Sequence, residues 1–414
     1  MANAEPFQRG KRRLALGLSW LAYATYYLGR KAFSAVKKPL EHELGIVPGA
    51  LGAIDTAFLA AYTVGQFASG FAGDRFGARR LVGYGMLVSA VACLGFGLSG
   101  GALALGAWFL LNGLAQSTGW PGSTRIVAEW TTRENRGTVM GLWSTCYQLG
   151  GLAATVLAGQ LAARFGWRSA MFVPAAAILA VGLVVLVFLP RPPEVVLAPS
   201  ATAASAATPA VRPGAFRAQL DVLRSRTLWS FGASYFFIKL VRYALLFWLP
   251  YYLATTRGYS TGKAANVSVA FDAGGIVGVV VIGWLADRRR LSHAALSMVS
   301  IALLVPVLAG HRALGGAGEL GEVLMLALAG ALLVGPESLL TGVAAQDAGG
   351  PAAAATATGF VNGLGSFGAL VQGLVVPPLA ARFGWTALFP VLGALALGAV
   401  IALVPTLRAS RESR

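Results

Sequence analysis

Twelve apolar runs, each close to the roughly 20 residues an α-helix needs to cross a bilayer, recur along the whole chain. They fall at about 12–36, 50–72, 81–99, 102–126, 138–162, 169–190, 228–254, 263–285, 293–312, 320–344, 352–378 and 384–406. Only 12% of the residues are charged, against about a quarter in an ordinary soluble domain. The pattern predicts an all-α membrane protein of twelve transmembrane helices. A β-barrel would show short alternating strands in place of long continuous runs. Nothing between the runs looks catalytic. His42, His293 and His311 sit at run ends, with neither metal-ligand spacing nor a nucleophile beside them. No enzyme activity, cofactor or metal is expected.

The formal net charge of +17 invites a nucleic-acid partner, but the placement of the cations points elsewhere. With both termini set in the cytoplasm, the cytoplasmic segments hold twenty of the 33 Lys and Arg residues and the opposite side eight. The other five, Arg30, Lys31, Arg125, Lys239 and Arg242, lie within runs. That asymmetry is the positive-inside bias. It predicts a multi-pass protein of the cytoplasmic membrane whose macromolecular surroundings are lipid, with no nucleic acid. Cys93 and Cys146 both fall inside runs and read as small apolar residues. The first run is too long for a cleavable signal and lacks a small-x-small exit.

The chain also repeats itself. "AARFGW" occurs at Ala162–Trp167 and again at Ala380–Trp385, an offset of 218. The same offset aligns Gly141 with Gly359 and Gly150 with Gly368. "GDRFGARR" (Gly73–Arg80) parallels "ADRRR" (Ala286–Arg290), placing Asp74–Arg75 beside Asp287–Arg288. Six runs followed by six in the same orientation predict two six-helix halves, 1–190 and 227–414, related by pseudo-two-fold symmetry. A Pro/Ala/Ser-rich cytoplasmic linker, 191–226, joins them. The G-x-x-x-D-R-x-G-x-R-R stretch from Gly70 to Arg80 resembles the signature loop of the major facilitator superfamily. Asp74, Arg75, Asp287 and Arg288 are expected to pair with neighbouring helix ends and bias which side is closed.

The intramembrane arginines carry the chemistry. Arg242 is near the middle of the seventh run, roughly 20 Å from either end at 1.5 Å per residue, too far for easy snorkelling. A mid-bilayer arginine costs at least about 3 kcal/mol unless it faces water or a partner. Arg30 lies 212 residues earlier, at the matching place in the first run. In a parallel duplication the two helices are equivalent and can face one cavity. Tyr23, Tyr26, Tyr27, Arg30 and Ser34 share one face of the first helix, and Tyr235, Lys239 and Arg242 one face of the seventh. Two opposed cations invite an anion, and the guanidinium fork suits a phosphate group.

At these residues the chain resembles the organophosphate:phosphate antiporters of the major facilitator superfamily, which include glycerol-3-phosphate and hexose-6-phosphate transporters and sugar-phosphate exchangers. The resemblance rests on "YYLGRKAF", "GWPGSTRIVAEW", "GLWSTCYQLGG", "RYALLFWLPYYL", "FDAGGIVG" and "GFVNGLGSFGA". It implies that Arg30 and Arg242 bind the phosphate; Tyr26, Tyr27, Lys31, Lys239, Trp120, Tyr147, Gln148 and Asn362 are the further candidates for the same substrate site. It also implies a Lys31–Asp272 ion pair that breaks or re-forms during the cycle. Tyr147, Gln66 and Phe247 stand where the glycerol-phosphate member has a histidine, a lysine and an aspartate.

Glu337 follows Gly335-Pro336, where proline frees backbone carbonyls, and is a candidate proton or coupling site. The expectation is a transporter exchanging a phosphorylated small molecule (a sugar phosphate or glycerol 3-phosphate) for inorganic phosphate by alternating access, acting as a monomer. A membrane sensor of hexose phosphate with the same fold, and a proton-coupled carrier of another small anion or sugar, are the rivals.

Overall fold

The computed structural model describes residues 4–131, 136–143, 145–191, 224–289, 292–311 and 318–412. Most of the predicted linker lies outside them. Among the described residues there is no strand, and the α-helices run in order as α1 (Ala4–Leu44), α2 (Pro48–Phe76), α3 (Ala78–Leu98), α4 (Ala102–Gln116), α5 (Gly119–Glu129), α6 (Arg136–Trp143), α7 (Thr145–Phe165) and α8 (Ser169–Phe188). They continue as α9 (Arg226–Arg257), α10 (Thr261–Arg289), α11 (His293–Ala309), α12 (Gly318–Leu339), α13 (Ala345–Phe383) and α14 (Leu388–Glu412). Seven helical segments among the described residues are long and apolar enough to cross a bilayer. α1 is not one of them, because its tyrosines, Arg30 and Lys31 dilute an otherwise apolar run.

Where they are described, the apolar runs lie on helix, and the departures are local. The fourth run is split, α4 ending at Gln116 and α5 starting at Gly119. Pro121 has no N–H to return to the carbonyl of Ser117, so the helix loses a rung there. The hydroxyls of Ser117 and Thr118 bond back to the carbonyls of Leu114 and Ala115. Asp74–Arg75 and Asp287–Arg288, expected in loops, lie instead on the last turns of α2 and α10; their side chains lie outside the described set. The chain turns directly after, at Gly77, whose φ of 79° excludes most side chains. The connection expected around 345–351 is helical too: a π-helical turn, Leu340–Ala344, leads straight into α13. The alanines around this stretch favour helix.

The repeated "AARFGW" proves to be a helix stop. Gly166 and Gly384 have φ of 82° and 78°, ending α7 and α13 in a conformation only glycine adopts freely.

The chain divides into two compact units, Met1–Pro209 with Ser260–Ala265, and Ala210–Tyr259 with Asn266–Arg414. In the first, α1 packs on α7 and α8, α3 on α8 and α4, and α2 on α4. In the second, α9 packs on α13 and α14, and α11 on α14 and α12. These four repeat, with each helix replaced by its counterpart six runs later, four of the five pairings of the first unit. Small residues permit the close approach: a side chain at Gly150 would overlap the backbone of Ala24, and one at Gly368 the backbone of Phe236. Both free cysteines are buried, as apolar residues would be.

Candidate functional site

The first unit holds Arg30 in a built socket. The residue is 8% exposed, and its Nε donates to Oε1 of Gln116 at 3.1 Å. Gln116, the last residue of α4, has no freedom to turn. Its amide nitrogen donates to the carbonyl of Tyr26 at 3.1 Å and to Oδ1 of Asn112 at 3.2 Å. Asn112 in turn donates to the carbonyl of Gly29 at 3.1 Å and accepts from Ser89 at 2.6 Å. The amide nitrogen being occupied, the amide oxygen is left for the arginine. Aromatic faces complete the socket. The guanidinium carbon lies 4.5 Å from the ring centre of Tyr62, 4.9 Å from Tyr27 and 5.6 Å from Phe58, within cation–π range. All these partners are neutral.

Other expected residues of this unit are distributed around that socket. Lys31 is buried beside Arg30 in sequence. Tyr26, expected as a substrate donor, is 1% exposed, and its hydroxyl is bonded to the carbonyl of Val82 and to Thr118. It serves the packing of α1 on α3. Tyr23, outside the expected donor set, anchors an aromatic cluster with ring centres 5.7 Å from Trp120 and 5.3 Å from Trp143. Trp120 remains 37% exposed and forms the open edge of this wall, with Tyr147 packed against the cluster. Gln148 is half-buried on α7.

The second unit holds Arg242 differently. Its Nη1 lies 2.5 Å from Oε2 of Glu337, and the hydroxyl of Tyr235 donates to Oε1 of the same carboxylate at 2.8 Å. One carboxylate on α12 therefore accepts from two residues of α9, one turn-pair apart. Lys239, on the same face, donates to Oδ1 of Asn362 at 3.2 Å and to Ser366 at 3.1 Å, with its ammonium 5.2 Å from the ring centre of Tyr235. Arg242, Lys239, Glu337 and Asn362 are thus brought into one cluster within this unit. Asp272 is half-buried on α10. Lys31 belongs to the first unit and Asp272 to the second.

Sequence reasoning missed the partners. Gln116 on α4 meets Arg30 as Glu337 on α12 meets Arg242, and Asn112 with Gln116 at i, i+4 in an apolar run was the available signal. Arg79, in the loop motif, caps the end of α8, donating through Nε to the carbonyl of Leu186 at 2.6 Å and through Nη2 to that of Val187 at 3.1 Å. Lys37, one of the eight cations assigned to the non-cytoplasmic side, is fully buried in an ion pair with Asp55. His311, given no role above, bonds to Glu322 at 2.6 Å, which also takes Arg257 at 2.8 Å, a wholly structural-looking clamp between α9 and α12. Among the described residues no His/Cys/Asp/Glu group has metal-holding geometry.

Comparison with known proteins agrees with this architecture. The sequence pattern of the Major Facilitator Superfamily matches residues 19–373. A probable hexose phosphate transport protein of Chlamydia trachomatis is 30% identical, the match covering 95% of this chain and 90% of that protein. The putative glycerol-3-phosphate transporter 3 of Arabidopsis thaliana is 31% identical over 92% of this chain and 84% of its own length. The glucose-6-phosphate exchanger SLC37A2 of Xenopus laevis is 28% identical over 91% and 89%. Among solved structures, a bacterial homologue of the human lysosomal transporter Spinster superposes with a TM-score of 0.79, covering 96% of this chain and 94% of its own. At 17% identity that likeness speaks for the fold alone. With its duplicated helix pairing, its signature turn at Gly77 and these relatives over nearly its whole length, the chain belongs to the major facilitator superfamily, in its organophosphate:phosphate antiporter family.

Proposed function

We propose that this protein is a secondary active transporter exchanging a phosphorylated small molecule for inorganic phosphate by alternating access, with Arg30 and Arg242 as the two ligands of the phosphate group. The observation that carries the reading is the fixing of both guanidinium groups. Each is on the first helix of its repeat, at matching positions, and each is oriented by a side chain from the fourth helix of that repeat, Gln116 or Glu337. An arginine within a span that is fixed by a side chain from another helix in both halves is retained for a ligand rather than for stability.

The names of the relatives supply the substrate class, a sugar phosphate or glycerol 3-phosphate. Tyr27, Lys31, Lys239, Asn362, Tyr147, Gln148 and Trp120 complete the proposed site. A Lys31–Asp272 pair, and Asp74, Arg75, Asp287 and Arg288 at the helix ends, control access. Arg79 on the α8 carbonyls supports such pairing at the end of the bundle. The cation bias supports a cytoplasmic membrane location with both termini inside, and the duplication supports a monomer.

Anion binding screens the two arginines and lowers the barrier to switching, so exchange is obligatory. In proteoliposomes, labelled phosphate enters only when phosphate or an organophosphate is trapped inside, and Arg30→Lys or Arg242→Lys removes most of that uptake in a folded protein. Uptake independent of internal anion overturns the exchange reading. Binding without flux favours a sensor.

A further inference from the structure

Glu337 is the one acidic side chain whose contacts run directly onto a proposed phosphate ligand among the described ion pairs. Its carboxylate meets Arg242 much as one edge of a phosphate would: one oxygen on the guanidinium at 2.5 Å, the other on the Tyr235 hydroxyl at 2.8 Å. The pair is sheltered without being sealed, with side-chain exposures of 19% and 10% for Arg242 and Glu337, so an incoming anion has access to the same donors. The backbone under Glu337 is also set apart from a regular helix. Pro336 precedes it and supplies no N–H, while the π-helical turn Leu340–Ala344 begins three residues later.

We propose that the Glu337 carboxylate is a resident counter-anion that occupies Arg242 until substrate arrives, is displaced by the phosphate group, and returns when phosphate leaves. This rests on the reading of Arg242 as a phosphate ligand given above. A guanidinium satisfied by an internal carboxylate is not left as a bare charge in a low-dielectric span. The same carboxylate makes the site selective for strongly charged groups. A phosphate dianion outcompetes one carboxylate for the fork, whereas a singly charged anion gains nothing by the exchange.

The other groups around Glu337 fit this role. Tyr235 and Lys239 from α9 are donors, and Lys239 is already engaged by the neutral acceptors Asn362 and Ser366 of α13. They remain in place to receive the displaced carboxylate or the incoming anion.

The test is direct binding of inorganic phosphate and of glycerol 3-phosphate to the purified full-length protein. If the carboxylate holds Arg242 nine-tenths of the time, removing the competitor tightens binding about tenfold, since apparent affinity scales with the fraction of competent sites. Glu337→Gln, which keeps the shape and the bond to Tyr235, is expected to show that gain and to admit monocarboxylates as competitors. Glu337→Asp keeps the charge but withdraws it by one methylene, so it should fall between wild type and Gln and covers the case in which the Gln protein fails to fold. Arg242→Ala should bind neither probe. Wild-type binding with no tightening in folded Glu337→Gln, or in Glu337→Asp should the Gln protein not fold, overturns the counter-anion role and leaves the transport reading standing. Absence of binding to wild type and to every variant overturns both.

Discussion

The two halves hold their arginines at equivalent places with opposite chemistry. In the first unit Arg30 is met by an amide oxygen and three aromatic faces, all neutral. In the second Arg242 is met by a carboxylate. Among the contacts described, Arg30 meets neutral groups, whereas Arg242 is partnered by a carboxylate, with Lys239 as a second cation in its cluster. Duplication supplied one backbone arrangement twice. A Gln on α4 against a Glu on α12 is what sets the two sockets apart.

The comparison breaks most visibly when each arginine is removed. Arg242→Ala leaves Glu337 as a buried carboxylate without its cation, which should lower stability by about 3–5 kcal/mol. Arg30→Ala strands the neutral Gln116 amide oxygen, at about 1–3 kcal/mol. Thermal unfolding in detergent of the two variants side by side should rank them in that order; equal losses would mean the sockets do not differ electrostatically. A smaller but more telling change is Gln116→Glu, which gives the first half the partner found in the second. Phosphate exchange should fall about tenfold as Arg30 acquires its own competitor, and the Gln116→Glu, Glu337→Gln double variant should recover part of it. Smallest is Tyr62→Leu. It strips the nearest ring from Arg30 and should weaken phosphate binding by the worth of one sheltered cation–π contact, about 0.5–2 kcal/mol, measured by titration.

Much of this was legible beforehand. Apolar runs gave every helix, because bilayer thickness imposes a length that shows in composition. The "AARFGW" and "DR" repeats gave the duplication, and the equivalence of Arg30 with Arg242 gave the pair of cations. What escaped was pairing between helices far apart in sequence. Gln116 looked like no more than one polar residue inside the fourth run, and Lys37 looked solvated because it follows the first run. Helical periodicity says which residues share a face, but not which neighbour that face meets. Tyr26 meets Val82 and Thr118, and Lys37 meets Asp55.

The sequence alone determined that the chain is helical, duplicated and membrane-spanning, with a cation planted in the first helix of each half. Those properties are local, written in run length, charge and repeated glycine stops. Tertiary structure decided what each cation is worth. The charge state of a socket depends on side chains that arrive from other helices, 86 residues from Arg30 and 95 from Arg242. Electrostatics in a low-dielectric interior is set by those few ångströms, which no single helix encodes.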